Sequence, residues 1–311
     1  MSGLILTAAG IYLLFGILVW IGLQKKFPLT TRGVEQGSLL ICARNEEKSL
    51  PACLDSLEKQ EIATDRLEVI LIDDDSHDRT AQIMEEYAKH SRFSVRVLHF
   101  NSGEAGDSSG KWRLLNEGIR QACHEALLFT DANAVLKPGW VEAHLSRLDR
   151  GIQVAGMIWV DGPGVWSSLQ RLDRLFVMGV GCSLARWGQP QAAQGKNLSL
   201  HRWDYDAVGG FEAIGPTLTE DQALVRALHG GGGRLDFSTA PELLVNTPAL
   251  RTWKEFLQQR LRWSSGFQDL SLIGKSCIIV MLLRQLALLL GLATLNVWAL
   301  PAWIAVSVVD F

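Results

Sequence analysis

The chain has 311 residues, enough for about two domains at roughly 150 residues each. Lys and Arg total 30 against 33 Asp and Glu, a net charge of −3; a general nucleic-acid binder would carry a basic excess instead. Charged residues make up 20%, below the usual value of about 25%, so the chain is neither disordered nor collagen-like, and its surplus apolar residues gather at the two ends.

Residues 3–23 carry no charge and one clearly polar side chain, Thr7. At about 1.5 Å per residue this run spans roughly 31 Å, the thickness of a hydrocarbon core. Basic residues come after it (Lys25, Lys26 and Arg32) and none precedes it, the reverse of a signal peptide. A retained transmembrane helix over 1–26 is therefore expected. The positive-inside rule then places the body of the chain on the cytoplasmic face.

From about residue 37 the pattern alternates. Short apolar runs at 38–42, 67–72, 95–98 and 126–130 read as strands, with helical stretches at 48–59, 80–90 and 112–123 between them. Such alternation predicts an α/β fold with a mostly parallel sheet covered on both faces. Ligands bind such sheets beyond the carboxyl ends of the strands, and three strands here end in polar clusters: Arg44-Asn45-Glu46, Asp73-Asp74-Asp75 and Asp131-Ala132-Asn133. The second half is less regular. It suggests a strand over 151–160, helix over 167–184, a strand at 195–200, a turn at 209–211, helix over 220–229, and short strands at 234–237 and 243–246.

An amphipathic helix is expected over 253–267, with Trp253, Phe256, Leu257, Leu261, Trp263 and Phe267 on one broad face, suited to a membrane surface. Residues 273–283 form an apolar stretch that contains Lys275 and stops at Arg284, either an interfacial helix or part of one longer bent span, and 285–309 carry no charge, enough for about 37 Å if helical. A second membrane segment is expected over 285–311, kinked at Pro301. The five cysteines, Cys42, Cys53, Cys123, Cys182 and Cys277, are scattered without zinc-like spacing and read as small buried apolar groups.

The clusters have definite chemistry. Asp131 and Asn133 stand two residues apart, so an extended segment would point both oxygen donors the same way, toward a divalent cation; an Asx turn closing the strand is the alternative. Three consecutive carboxylates at 73–75 repel one another unless a donor or cation is near, whereas capping the next helix needs only one such residue, Asp75 or Ser76. Lys111 opens a helix just after Gly110, where an ammonium and a helix N-terminus together favour phosphate. Thr219-Glu220-Asp221 begins another helix; acids are favoured there in any case, but a carboxylate so held also suits a general base. Gln259, Arg262 and Trp263 fall at i, i+3 and i+4 and cluster on one helix face.

In order and spacing, these pieces resemble glycosyltransferase family 2, specifically its membrane-integrated members such as cellulose synthase, hyaluronan synthase and ceramide glucosyltransferase. The resemblance runs from about 39 to 263 through Ala43-Arg44-Asn45-Glu46-Glu47, Asp73-Asp74-Asp75-Ser76, Gly110-Lys111, Asp131-Ala132-Asn133, Val208-Gly209-Gly210-Phe211, Thr219-Glu220-Asp221 and Gln259-Arg260-Leu261-Arg262-Trp263. It implies a GT-A fold, Rossmann-like, as a cytoplasmic catalytic domain over 37–250. Interfacial helices over 251–284 would carry the Gln-x-x-Arg-Trp string, and membrane segments would lie on either side.

By that resemblance Glu46 and its neighbours Ala43 and Arg44, with Asp73 or Asp74, hold the base and ribose of a nucleotide-sugar, a UDP-sugar. Lys111 lies near the ribose or phosphates. Asp131 and Asn133 hold Mg2+ or Mn2+ on the diphosphate, Asn standing where a second acid is usual. Asp221, beside Glu220, is the catalytic base; Gln259, Arg262 and Trp263 lie at the acceptor and diphosphate side and help bind the nucleotide-sugar, with Arg262 steadying the leaving diphosphate and Trp263 near the acceptor. The implied reaction is transfer of a sugar with inversion. Helices at both ends favour a lipid acceptor over a growing polysaccharide, which needs a channel. A membrane-anchored nucleotide-sugar binder without transfer is the alternative of another class; Asn133 alone favours it, and Asp221 with Arg262 opposes it.

Overall fold

The computed structural model describes residues 2–28, 32–100, 110–191, 193–268 and 270–293. Helix α1 (Ser2–Gln24) leads into β1 (Gly37–Ala43), α2 (Leu50–Glu58), β2 (Leu67–Asp74), α3 (Thr80–His90), β3 (Ser94–Phe100), α4 (Lys111–Gln121) and β4 (Ala126–Asp131). Strands β1, β2 and β4 are apolar along almost their whole length and buried on both faces, as strands in the middle of a covered parallel sheet must be. Strand β3 buries much less and lies at the edge.

After β4 come β5 (Val135–Leu136), α5 (Trp140–Leu145), β6 (Ile152–Gly156), β7 (Ile158–Asp161), α6 (Gly164–Arg186), β8 (Leu198–His201), α7 (Arg202–Ala207), α8 (Gly210–Ile214), α9 (Glu220–Gly230), β9 (Arg234–Ser238), β10 (Val245–Pro248), α10 (Trp253–Ser265) and α11 (Leu272–Ala293). The main sheet has the order β3-β2-β1-β4-β8-β6-β9, and β5-β10-β7 form a smaller one. Strands β1 to β4 pair in parallel, while β8 runs antiparallel to both β4 and β6. The chain places β2 and β3 on one side of β1 and then crosses to β4 on the other. This reversal opens a crevice at the carboxyl ends of β1 and β4.

The strand expected over 151–160 is two strands in two different sheets. The chain breaks between them at Met157, whose carbonyl accepts from Val245 N (3.0 Å) and from Asn197 Nδ2 (3.0 Å). Gly156 permits this: a Cβ there would lie 2.2 Å from the Leu243 carbonyl oxygen. The strand expected at 195–200 begins instead with a 3-10 turn, Gly195–Asn197, before β8. The turn at 209–211 opens α8, with Gly209 and Gly210 both at positive φ. Helix α3 is capped by neither Asp75 nor Ser76; the Asp78 carboxylate accepts from Thr80 N (2.9 Å) and Thr80 Oγ1 (2.5 Å).

Among the described residues, Leu6–Gln24 of α1 is the stretch long and apolar enough to cross a membrane by length and composition. It exposes Leu14, Ile17, Leu18 and Trp20. Its inner side packs on α6 and α11, with Trp187 Nε1 donating to the Leu18 carbonyl (3.2 Å) and Lys25 Nζ 3.8 Å above the Trp187 ring. The apolar stretch at 273–283 is no separate helix; it forms the first half of α11, which runs on through Arg284 to Ala293. Most of the segment expected over 285–311, including Pro301, lies outside the described residues.

Candidate active site

The crevice at the end of β4 opens into a cavity of about 320 Å³. Lys111 lines it from the start of α4, Asp131 and Asn133 from the end of β4 and the turn after it, Glu220 and Asp221 from the start of α9, and Gln259, Arg262 and Trp263 from α10. Residues far apart in the sequence thus meet around one space, because the switch in strand order brings the ends of β4, α4, α9 and α10 together.

Asp131 closes β4, and the chain turns at once: Ala134 N donates to the Asp131 carbonyl (3.0 Å). The segment is therefore not extended as expected, and strand alternation does not align the two side chains. What joins them is Lys196, which no sequence motif marks. Its Nζ lies 2.6 Å from Asn133 Oδ1, 2.8 Å from Thr247 Oγ1 on β10 and 3.7 Å from Asp131 Oδ2. The other Asp131 oxygen receives Lys111 Nζ at 3.1 Å. Burial would raise the Asp131 pKa, but Lys111 and Lys196 outweigh it and hold the carboxylate at about 2. Lys111, opposed by burial, is driven above its ordinary range by Asp131 and Glu220. Burial pulls Lys196 down against the pull of Asp131.

At the head of α9, Glu220 Oε1 lies 3.3 Å from Lys111 Nζ, so this carboxylate holds a cation in place. Asp221 has different partners: Oδ1 accepts from Gln222 N and Oδ2 from Gly195 N, both at 2.8 Å. Burial and the adjacent Glu220 charge push the Asp221 carboxyl up to about 6, and the two backbone donors with Lys111 restrain it. A carboxylate with that affinity for protons suits general-base work near neutral pH.

Helix α10 starts with a capping box between Thr252 and Glu255 and leans on α6. Arg174 of α6 donates to Gln194 Oε1 (2.6 Å) and to Gln259 Oε1 (3.5 Å). Its guanidinium lies 4.3 Å from the centre of the Trp263 ring, and that of Arg260 lies 4.4 Å from it; Arg260 in turn pairs with Asp173. The apolar face expected on α10 is split. Trp253 and Phe256 pack against Trp166 of α6 (centroids 4.4 and 5.4 Å apart) and Trp263 lies between the two arginines, while Leu257, Leu261 and the outer part of Trp253 remain exposed. Arg174, like Lys196, is a site residue that sequence reasoning misses. It sits in mid-helix, with no local pattern to mark it.

The residues expected to hold base and ribose lie one and two strands away and do not line this cavity. The register pairs Ala43 with Asp73 and Cys42 with Asp131, so both groups occupy one row of strand ends. Arg44 Nη1 lies 3.8 Å from Asp74 Oδ2. Asp73 is buried; its Oδ2 lies 3.6 Å from His99 Nδ1, and among the described residues its Oδ1 has no hydrogen-bond partner. Glu46 lines a neighbouring groove that it shares with Asn133 and Thr247. Side chains stitch the two strand-end loops together: Asn45 N donates to Ser76 Oγ (3.0 Å) and His77 N to Asn45 Oδ1 (2.9 Å).

As ligands for Mg2+ or Mn2+, Asp131 and Asn133 make a poor set. A hard divalent cation takes oxygen ligands, carboxylates foremost; here one carboxylate and one neutral amide are offered, and ammonium groups already engage both. Among the described residues no group of three or more His, Cys, Asp or Glu is gathered closely enough to hold a metal ion.

Residues 38–214 match the family model described as glycosyl transferase family 2, more than half of the chain. The chain is 25% identical over 241 residues to the probable glycosyltransferase YdaM of Bacillus subtilis, covering 74% of this chain and 55% of that one. It is 26% identical over 247 residues to a beta-monoglucosyldiacylglycerol synthase of Synechocystis, covering 74% and 47%. The chain thus spans about half the length of these two curated relatives. Its fold is similar to that of the mannosyltransferase PcManGT from Pyrobaculum calidifontis, solved in complex with GDP-Man and Mn2+, with a TM-score of 0.67, 19% identity, and coverage of 98% of this chain and 84% of that one. With its mostly parallel α/β sheet of GT-A type, the chain belongs to glycosyl transferase family 2.

Proposed function

We propose that the chain transfers a single sugar from a nucleoside diphosphate-sugar, a UDP-sugar, to a hydroxyl of a membrane lipid, with inversion at the anomeric carbon. The observation that carries this reading is the convergence of a proton-accepting carboxylate, Asp221, with the cationic groups of Lys111 and Arg262 around one cavity. Asp221 takes the proton of the acceptor hydroxyl. The oxygen forms a bond to the anomeric carbon as the bond to the diphosphate breaks, and the electron pair leaves on the diphosphate oxygen, where Lys111 and Arg262 meet the growing charge. Glu220 holds Lys111 in position. Ala43, Arg44, Glu46, Asp73 and Asp74 hold the base and ribose along the neighbouring strand ends, and Gln259 and Trp263 shape the acceptor side.

A lipid acceptor is supported by the position of α6. One side of this helix packs on α1, and Arg174 and Val177 on the same helix line the cavity. In this reading α1 crosses the bilayer, with Lys25, Lys26 and Arg32 on the cytoplasmic face, and the chain is a membrane-integrated member of its family. The name of the Synechocystis relative is consistent with a lipid product. The test is to incubate membranes with and without the chain with labelled UDP-sugars and to examine the extracted lipids by mass spectrometry. A sugar-shifted lipid that depends on the chain is expected; label found only in a polymer would overturn the lipid acceptor, and no transfer from any donor would overturn the activity.

Transfer should also depend on pH with a definite sign. The Asp221 carboxyl is raised to about 6, so it binds a proton as pH falls through that value and the base is lost. The expected profile of kcat/KM is flat above about 7 and drops about tenfold per unit well below 6. Asp221→Glu should retain such an acidic limb, and Asp221→Asn should lack it.

A further inference from the structure

We propose that Lys196 supplies, from within the chain, the positive charge that the Asp131–Asn133 turn would otherwise take from a divalent cation, so that a nucleoside diphosphate binds here without added metal. The inference rests on the diphosphate-sugar reading given above. Its first support is the set of oxygens around the ammonium: Asn133 Oδ1 at 2.6 Å, Thr247 Oγ1 at 2.8 Å and Asp131 Oδ2 at 3.7 Å. The first two are hydrogen bonds and the third an ion pair, and the three oxygens come from two different strand ends, so the ammonium bridges them as a bound cation would.

The second support is how firmly Lys196 is held. Its side chain is only 13% exposed. Its carbonyl accepts from Thr130 Oγ1 (2.8 Å), and the next residue, Asn197, is fully buried and bonded at both ends of its amide. It is not a surface lysine that has folded onto the nearest acid.

The third support is the charge around the cavity. Lys111, Arg174, Lys196 and Arg262 line it against Asp131, Glu220 and Asp221, and of these bases it is Lys196 that meets the Asp131–Asn133 turn at both side chains. Asn at 133 removes the carboxylate that would have favoured a metal, and its amide oxygen still accepts from Lys196.

The test is binding of UDP and of GDP to the full chain in detergent micelles, by titration calorimetry, once in EDTA and once in excess Mn2+. The expected result is that the tighter-binding nucleotide has the same affinity in both, within about threefold. Lys196→Met should weaken binding in EDTA by at least about tenfold, the worth of one charged hydrogen bond, and Lys196→Arg should weaken it less. In the double variant Lys196→Met with Asn133→Asp, Mn2+ should restore the loss, because two carboxylates then face a vacated cation position. Binding by the native chain that vanishes in EDTA and returns with Mn2+ would overturn the proposal and leave the transferase reading standing. Absence of binding to either nucleotide in both media would overturn both.

Discussion

Replacing Asp221 with Asn is expected to reduce sugar transfer by about 10²–10⁴-fold, the range in which a positioned general base contributes, while nucleotide diphosphate affinity stays within about threefold. The change keeps the size of the side chain and one oxygen, which accepts from Gln222 N or Gly195 N where the carboxylate accepts from both, so one of the two backbone contacts holds the head of α9. What it removes is the negative charge and basicity that take the acceptor proton. The diphosphate end of the cavity, with Lys111 and Arg262, is untouched. Steady-state kinetics with a labelled UDP-sugar, together with calorimetry, separates the two effects. Equal transfer rates in the variant would remove Asp221 as the base, and a parallel loss of nucleotide binding would show that it holds the donor.

The second large effect falls on stability. Asn197→Ala is expected to cost roughly 3–5 kcal/mol, because the side chain closes a fully buried network. Its Oδ1 accepts from Trp140 Nε1 (2.9 Å) and from His144 Nε2 (3.0 Å), and its Nδ2 donates to the carbonyls of Met157 (3.0 Å) and Leu243 (2.7 Å). Trp140, His144 and Asn197 are all inaccessible to solvent, so each partner left unpaired costs about 1–3 kcal/mol. Burial keeps His144 neutral, its pKa pushed down to about 3, with Nδ1 2.8 Å from Ser199 Oγ. In a chain of this size each kcal/mol lowers the melting temperature by about 2–4 °C, so a drop of roughly 6–20 °C is expected in a thermal melt. A shift below about 2 °C would mean that water replaces the amide and that the network is not needed.

The first half of this architecture was legible because its signals are local. Strands β1, β2 and β4 are almost wholly apolar runs, and the polar residues that end them form one row of strand ends. The second half hides its signals. Strand β8 is four residues long and buries Ser199 and His201 beside its two leucines, which no apolar count detects. The 151–160 run breaks where Leu243 and Asn197 press on Gly156, contacts made over long sequence distances. Lys196 was invisible for the same reason: only the antiparallel pairing of β8 with β4, Leu128 opposite Ser199, carries it to the Asp131 turn. The motif residues Asp131, Asp221 and Arg262 line one cavity, whereas Asp74 lies beside Arg44 at the ends of β2 and β1. Assuming an extended chain at Asn133 failed because the peptide turns after Asp131.

The turn Gly195–Asn197 also limits how this cavity can be altered. Its first residue tethers Asp221 through a backbone N–H, its second presents an ammonium to Asp131 and Asn133, and its third is locked beneath the sheet. In the proposed reaction the base at Asp221 and the ammonium of Lys196 are therefore spaced by one peptide unit, and neither can drift without dragging the other. Reshaping the cavity for a bulkier sugar or a different alcohol thus falls to its greasy walls, Ile158, Val177 and Leu218, where a change in volume leaves that spacing intact.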